Sequence, residues 1–230
     1  YHNTYYYGRS NSNNINFPEY HESEGWAGAN FYPGATTPTS FTTTFNTANR
    51  YQAASHNTEF SVGAIGASND QAFNPDHHLQ IKYNDASGNL VVLKDTAFEG
   101  YLLYDSVFTV PSSTIGVSTN LIVEAQPGAF STSRNAVAYA TMKYPHTANL
   151  EVQNYYELFI PDDSSQPKSN YAFINFVDGG GFGAYLYDFT NKLRIPVTKA
   201  GSYFKVLVPN ALSGEEKFCV IKHENQFLSP

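Results

Sequence analysis

Residues 78–93 read HLQIKYNDASGNLVVL, and this stretch decides the fold. Leu79, Ile81 and Tyr83 share one face of an extended strand, because side chains two positions apart point the same way. The loop-forming run NDASGN at 84–89 is typical of a hairpin connection, and the apolar residues 90–93 return as the next strand. The segment therefore predicts two antiparallel strands with one buried face.

The same two-residue period recurs on both sides of this hairpin. Before Tyr144-Pro145, further strands are predicted at 40–46, 59–67, 101–110, 120–124 and 135–144. After it, shorter strands are predicted at 155–160, 171–177, 183–188, 192–197, 203–208 and 217–222. Short strands at this spacing favour sandwiches, and no helix longer than about two turns is expected.

The predicted fold class is therefore all-β. We expect a jelly-roll-like β-sandwich in residues 1–147, with an irregular N-terminal segment, followed by a smaller immunoglobulin-like β-sandwich in residues 148–230. The change of strand length after Tyr144-Pro145 sets this boundary.

The composition excludes two classes of function. The net charge is −7 and the 13 Lys and Arg residues are scattered, which argues against nucleic acid as a partner. No apolar run approaches the roughly 18 residues of a membrane span. The chain begins at Tyr1 without a leader-like segment, so we expect a piece of a longer protein or a mature chain.

The single cysteine, Cys219, raises the question of nucleophilic catalysis with His223 as the base. Four residues of extended strand separate the two side chains by about 13 Å, too far for a hydrogen bond. Cys219 also lies in the apolar run Phe218–Ile221, where a small buried residue is expected. We therefore predict packing roles for both, and no catalytic residue in this chain.

The segment Asp76-His77-His78 holds the densest group of metal-ligand residue types. Adjacent strand residues point to opposite faces, so the two histidines cannot chelate one ion from a regular strand. Calcium takes loop oxygens, and Asp70, Asn74 and Asp76 could supply them. These three remain weak candidates for a structural calcium site, and no other cofactor is predicted.

Aromatic residues make up 16% of the chain and suggest a binding surface. Trp26 and the many tyrosines could stack against sugar rings, whose C–H faces are apolar. A carbohydrate-binding or adhesin module of a secreted bacterial protein is therefore the alternative function. Most of the tyrosines are equally well explained as half-buried strand residues.

Several short segments together carry a resemblance to a known family. They are EGWAG at 24–28, DHHLQI at 76–81, TAFEG at 96–100, RNAVAY at 134–139 before YP at 144–145, YDFTN at 187–191 with LRI at 193–195, and FLSP at 227–230. Together they resemble the β-rich region upstream of the peptidase in gingipain-like C25 cysteine proteases, above all the sortase-type proteins of the type IX (Por) secretion system of Bacteroidetes.

The resemblance implies a non-catalytic accessory region at the cell envelope or outside the cell, followed by a peptidase in the same polypeptide. The catalytic Cys and His of the family lie in that peptidase, so no catalytic residue is carried over to this chain. Partners would be the adjacent catalytic domain and protein substrates or glycans. We expect an exposed apolar contact patch that includes Phe227 and Leu228, with Trp26 as a further binding-surface residue.

Overall fold

The computed structural model describes residues 27–34, 40–52, 56–127, 131–177, 179, 183–211 and 216–223. The chain divides into two compact units, Tyr1–Pro145 and His146–Pro230. The first unit ends close to the boundary drawn from the sequence. That the two units fold independently, as domains 1–147 and 148–230, stays a prediction.

Among its described residues, the first unit contains seven strands and one short 3₁₀ turn, Ser112–Thr114. The strands are β1 (Ser40–Asn46), β2 (Asn57–Gly66), β3 (His77–Asn84), β4 (Leu90–Phe98), β5 (Leu103–Pro111), β6 (Ser118–Ala125) and β7 (Asn135–Lys143). Strand β3 alternates between buried and half-buried positions along its whole length. The predicted all-β class is confirmed.

The strands of the first unit form two antiparallel sheets, with the orders β1-β6-β3-β4 and β5-β2-β7. The pairs β1–β6, β2–β5 and β3–β4 are nested, each pair lying inside the previous one along the chain. The outer and inner pairs belong to one sheet, and the middle pair belongs to the other. This nesting is the connectivity of a jelly roll, and β7 adds one strand beside β2.

The core of the first unit lies between its two sheets. Phe60 of β2 is fully buried and contacts Phe45 of β1 and Tyr83 of β3, at ring-centroid distances of 6.4 and 5.5 Å. Leu79 and Ile81 are fully buried in the same cluster. Burying a side chain of this size stabilises the fold by about 1.5–3 kcal/mol, so the alternating pattern supplies a large part of the driving force.

The described residues of the second unit also form seven strands. They are β8 (Asn149–Gln153), β9 (Tyr155–Ile160), β10 (Lys168–Phe176), β11 (Ala184–Asp188), β12 (Leu193–Ala200), β13 (Tyr203–Pro209) and β14 (Lys217–His223). Their order is β8-β10-β13-β12-β11-β14-β9, with β8 parallel to β10 and the other pairs antiparallel.

This sheet curls around a single core, so its two layers are parts of one nearly closed sheet. Leu150 of β8, near one end of the strand order, and Ile160 of β9, at the other end, belong to the same buried cluster. Phe176 and Phe204 meet edge to face within it, at 5.3 Å. The arrangement agrees with the sandwich class.

Buried polar groups close the ends of this second core. Lys217 is fully buried and donates a hydrogen bond to Asp162, whose other carboxylate oxygen accepts the Ala211 N–H at 2.8 Å. Burial lowers the pKa of the Lys217 ammonium. Asp188 accepts both the backbone and side-chain N–H groups of Asn191, at 2.9 and 2.8 Å. These contacts compensate for the desolvation of the charged groups.

Candidate functional site

A buried carboxylate organises one end of the first unit. Asp76, just before β3, is fully buried. Its Oδ2 accepts the Asp70 N–H at 2.9 Å and its Oδ1 accepts the Gly100 N–H at 2.7 Å. Hydrogen bonds from backbone amides make a buried carboxylate tolerable, because they replace its hydration. Asp76 therefore joins the loop before β3 to the turn after β4.

Two glycines allow this close approach. A Cβ atom on Gly66 would lie 2.3 Å from the Gly100 carbonyl oxygen, which no side chain tolerates. Gly100 has a φ of 67°, in the left-handed region that favours glycine. The end of β2 and the turn after β4 consequently lie in direct contact, and the Gly100 N–H reaches Asp76.

His77 extends the network to a second loop. Its imidazole is fully buried and stacks on Phe98 at 4.9 Å. Nε2 lies 3.0 Å from the Ser68 carbonyl oxygen, while Nδ1 lies 2.8 Å from Ser133 Oγ and 2.9 Å from Asn135 Oδ1. The ring thus bridges the segment after β2 and the segment before β7.

A polar cleft of about 370 Å³ lies over this network. Its lining residues are Tyr32, Ser68, Asn69, Asp70, Tyr101, Thr132 and Arg134. The backbone of Arg134 is held on both sides, since its N–H donates to Ser68 Oγ at 2.9 Å and its carbonyl accepts the Ala67 N–H at 2.7 Å. Small-molecule sites commonly occupy about 300–1,000 Å³, so the cleft is large enough for a small ligand.

The three calcium candidates are placed in the loop before β3 with different surroundings. Both Asp76 oxygens already accept backbone amides, and Asp70 Oδ1 accepts the Ala72 N–H at 2.9 Å. Asn74 is exposed. Within the described ranges, no group of three or more His, Cys, Asp or Glu side chains is arranged to hold a metal. Calcium binding by these residues stays a prediction.

His77 and His78 point to opposite faces of β3. His78 faces outward, where its Nε2 lies 2.5 Å from Asp95 Oδ1. Asp95 Oδ2 accepts the Gln80 side-chain N–H at 2.7 Å. The hydrogen bond from Gln80, followed by that from His78, lowers the pKa of the Asp95 carboxyl. This exposed group is separate from the buried network.

Cys219 has the environment of a packing residue. It is fully buried in the second core, and burial raises the pKa of its thiol to about 12, with a smaller contribution from the nearby Asp188 carboxylate. The reactive thiolate is therefore scarce at neutral pH. His223, on the same strand, donates through Nε2 to the Val177 carbonyl and stacks on Phe176 at 4.6 Å.

The binding-surface residues named from the sequence, Trp26, Phe227 and Leu228, lie outside the described residues. The second unit exposes a different aromatic group, here called the phenylalanine cluster: Phe159, Phe189 and Phe218. Phe218 lies 5.4 Å from each of the other two rings, and Phe159 and Phe189 are 49% and 57% exposed. Sequence reasoning missed this cluster, because it depends on the register that sets Phe218 opposite Phe159.

The two units define a class of protein: an all-β chain with a jelly-roll-like sandwich followed by a smaller curled sheet. No family model matches the chain, and no curated protein matches it. A solved structure does: dimeric latent PorU from Porphyromonas gingivalis, with a TM-score of 0.52 and 9% sequence identity. The match covers 86% of this chain and 19% of that chain.

At this level of identity, the likeness shows the fold alone. The present chain spans about a fifth of the PorU chain. Among the residues that the structure describes, no helix has the length and apolar character needed to cross a membrane.

Proposed function

We propose that this chain is a non-catalytic accessory region of a secreted cysteine peptidase of the gingipain-like C25 type, associated with type IX secretion. The observation that carries the proposal is the similarity to PorU, which covers 86% of this chain but only 19% of the other. This difference in coverage is expected if the chain corresponds to one β-rich region of a larger protein. The resemblance of the short sequence segments to Por-type proteins does not use the structure, so it supports the proposal independently of the structural match.

The chemistry of the described residues agrees with a positioning role. The Cys219 thiol is buried and has a raised pKa, and the Asp76–His77 pair is enclosed by backbone and side-chain partners. A catalytic nucleophile instead needs access to substrate and a pKa close to the working pH. The peptidase chemistry would belong to an adjacent catalytic domain in the same polypeptide.

The phenylalanine cluster is the surface that we assign to contact with that catalytic domain. Three neighbouring aromatic rings on the outer face of β9 and β14 and on the turn after β11 form an apolar patch. Aromatic residues are enriched in protein interfaces, because they bury a large area at a small cost in side-chain entropy. Localisation in the cell envelope or outside the cell follows from the same proposal.

The experiment that tests the proposal is to read the coding sequence beyond Pro230. We expect a segment with a His-Gly motif and a cysteine nucleophile, characteristic of the family's peptidase. Separately produced peptidase should then bind this chain, and replacement of Phe218 and Phe189 by Ser should weaken binding. An unrelated downstream domain, or a stop codon directly after Pro230, would contradict the proposal.

The alternative function, a carbohydrate-binding or adhesin module, is favoured by one observation, the polar cleft of the first unit. Trp26, from which the sequence argued this function, lies outside the described residues. Ligand binding in the cleft is independent of the accessory role, because a peptidase-associated region and an unattached adhesin could both contain such a cleft.

A further inference from the structure

The cleft combines hydrogen-bond donors with an acceptor, and several of these groups are unused. Within the described part of the chain, the Arg134 guanidinium, the Asn69 amide and the Tyr32 hydroxyl make no side-chain hydrogen bond or ion pair. Asp70 uses Oδ1 for the Ala72 N–H, while no described donor engages its Oδ2. A half-buried arginine with five N–H donors therefore shares the cleft with a carboxylate acceptor.

The charged and hydrogen-bonding side chains of the cleft favour one class of ligand over others. A ligand of either charge would be attracted by one of these two side chains, Asp70 and Arg134, and repelled by the other. An apolar ligand would remove water from both charged groups without replacing their hydrogen bonds, which is costly. A neutral ligand with several hydroxyls avoids these costs, because each hydroxyl both donates and accepts.

Two tyrosines supply the aromatic surface that a saccharide site needs. Tyr32 and Tyr101 line the same cleft, and Tyr32 is 39% exposed. A sugar ring has an apolar C–H face as well as hydroxyl edges, and aromatic rings pack against such faces. Concave sites with aromatic walls and a few well-placed polar groups are the usual form of small-molecule sites.

The buried network holds the cleft in place before a ligand arrives. Asp76 fixes the Asp70 backbone, His77 contacts the Ser68 carbonyl, and Ser68 Oγ accepts the Arg134 N–H. Two lining residues, Asp70 and Ser68, are thus tied to fully buried groups, and Arg134 is tied in turn to Ser68. Ligand binding then requires little further ordering of the loop. At sites built from mobile segments, this ordering costs conformational entropy and weakens binding.

We infer that this cleft binds a neutral saccharide. In this arrangement, Arg134 and Asn69 donate to hydroxyl oxygens, Asp70 Oδ2 accepts a hydroxyl proton, and the Tyr32 ring packs against the C–H face. The inference does not depend on the accessory role; it rests on the alternative function, carbohydrate binding, and specifies its ligand class.

The experiment is saturation-transfer NMR and titration calorimetry on the 230-residue chain with named sugars. The neutral probes are glucose, galactose, mannose and N-acetylglucosamine with their disaccharides, and the acidic comparator is sialic acid. We expect at least one neutral sugar to bind. Arg134→Ala and Asp70→Asn should each weaken its binding by about tenfold or more, the size expected for a hydrogen bond to a charged group.

The matched control is Lys94→Ala, which removes one positive charge from an exposed position of β4. It should bind like the unaltered chain, and circular dichroism should show that all variants are folded. Binding of sialic acid alone, absence of binding by every neutral sugar, or unchanged binding by a folded Arg134→Ala variant would each overturn the inference. These results are independent of the coding sequence beyond Pro230, so failure here is distinguishable from failure of the accessory role.

Discussion

Removal of the Asp76 carboxylate tests whether the buried network organises the first unit. In Asp76→Ala, the Asp70 and Gly100 N–H groups lose their acceptor, at positions where the lost hydrogen bonds are 2.9 and 2.7 Å long. Asp76 is fully buried, so water cannot replace the carboxylate without opening the loop. We therefore expect this single substitution to cause a large loss of stability.

The magnitude follows from the number and kind of bonds lost. Each hydrogen bond to a charged group contributes about 1.5–3 kcal/mol, so two bonds correspond to about 3–6 kcal/mol. Removing a buried charge also relieves its desolvation cost, which offsets part of this loss. We expect the free energy of unfolding of the first unit to fall by about 3 kcal/mol.

The assay is urea denaturation followed by circular dichroism, with Asp85→Ala as the control. Asp85 accepts the backbone N–H groups of Ser87 and Asn89 at 2.8 Å, and the Asn89 side chain at 3.1 Å, but in an exposed hairpin loop. Water replaces those bonds, so the control should lose much less stability than Asp76→Ala.

For Asp76→Ala, a slope of about 2 kcal/mol/M would place the midpoint about 1.5 M lower in urea. The Asp70 and Gly100 amides should also exchange faster with solvent. Equal losses for the two variants, or a loss below about 1 kcal/mol for Asp76→Ala, would refute the argument that burial makes this carboxylate important.

The other predictions concern Cys219 and the two kinds of phenylalanine. Because the thiol pKa of about 12 lies above the unfolded value, its stabilising contribution is full below about pH 8.5 and is lost toward pH 12. A thiol reagent at pH 8 should leave native Cys219 unmodified and label it in urea; rapid native labelling would contradict its burial. Phe60→Ala should cost about 3–5 kcal/mol and Phe159→Ala about 1 kcal/mol or less in thermal or urea unfolding; similar losses would contradict the core assignment. Phe218→Ser should weaken peptidase binding in a chain that circular dichroism shows to be folded, and unchanged binding would remove the cluster from the interface.

The regular strands were largely predictable from the alternation of side chains. Leu79, Ile81 and Tyr83 are buried by 97% or more, and β3 pairs with β4 through the predicted hairpin, Asn84 opposite Leu90. Strand β4 continues to Phe98, beyond the predicted end at residue 93, because its polar residues 94–96 lie on exposed or half-buried positions of a paired strand.

Strand β8 was not predicted, and its backbone explains why. Glu151 and Val152 have φ values of 55° and 59°, and the strand pairs parallel to β10 with a shift of register. A strand interrupted in this way loses the two-residue period from which strands are recognised. Its existence depends on the partner strand.

The candidate site was much less predictable than the fold. Asp70 and Asp76 were singled out as calcium candidates, whereas the structure places Asp76 beneath the cleft and Asp70 in its wall. Both carboxylate oxygens of Asp76 accept backbone amides, and one of the His77 contacts is with the Ser68 carbonyl. Every residue carries the same backbone groups, so the sequence contains no signal for them.

The sequence was sufficient for the all-β class, the faces of most strands and the net negative charge, because side-chain period and charge can be read residue by residue. Only the tertiary structure decided which distant residues meet. Tyr32, Asp70, Tyr101 and Arg134 form one cleft because nested strand pairing brings the loops at one end of the sandwich together. Phe159, Phe189 and Phe218 form one cluster because of cross-strand register and the turn after β11. Register results from the packing of the whole core, so no local stretch of sequence specifies it.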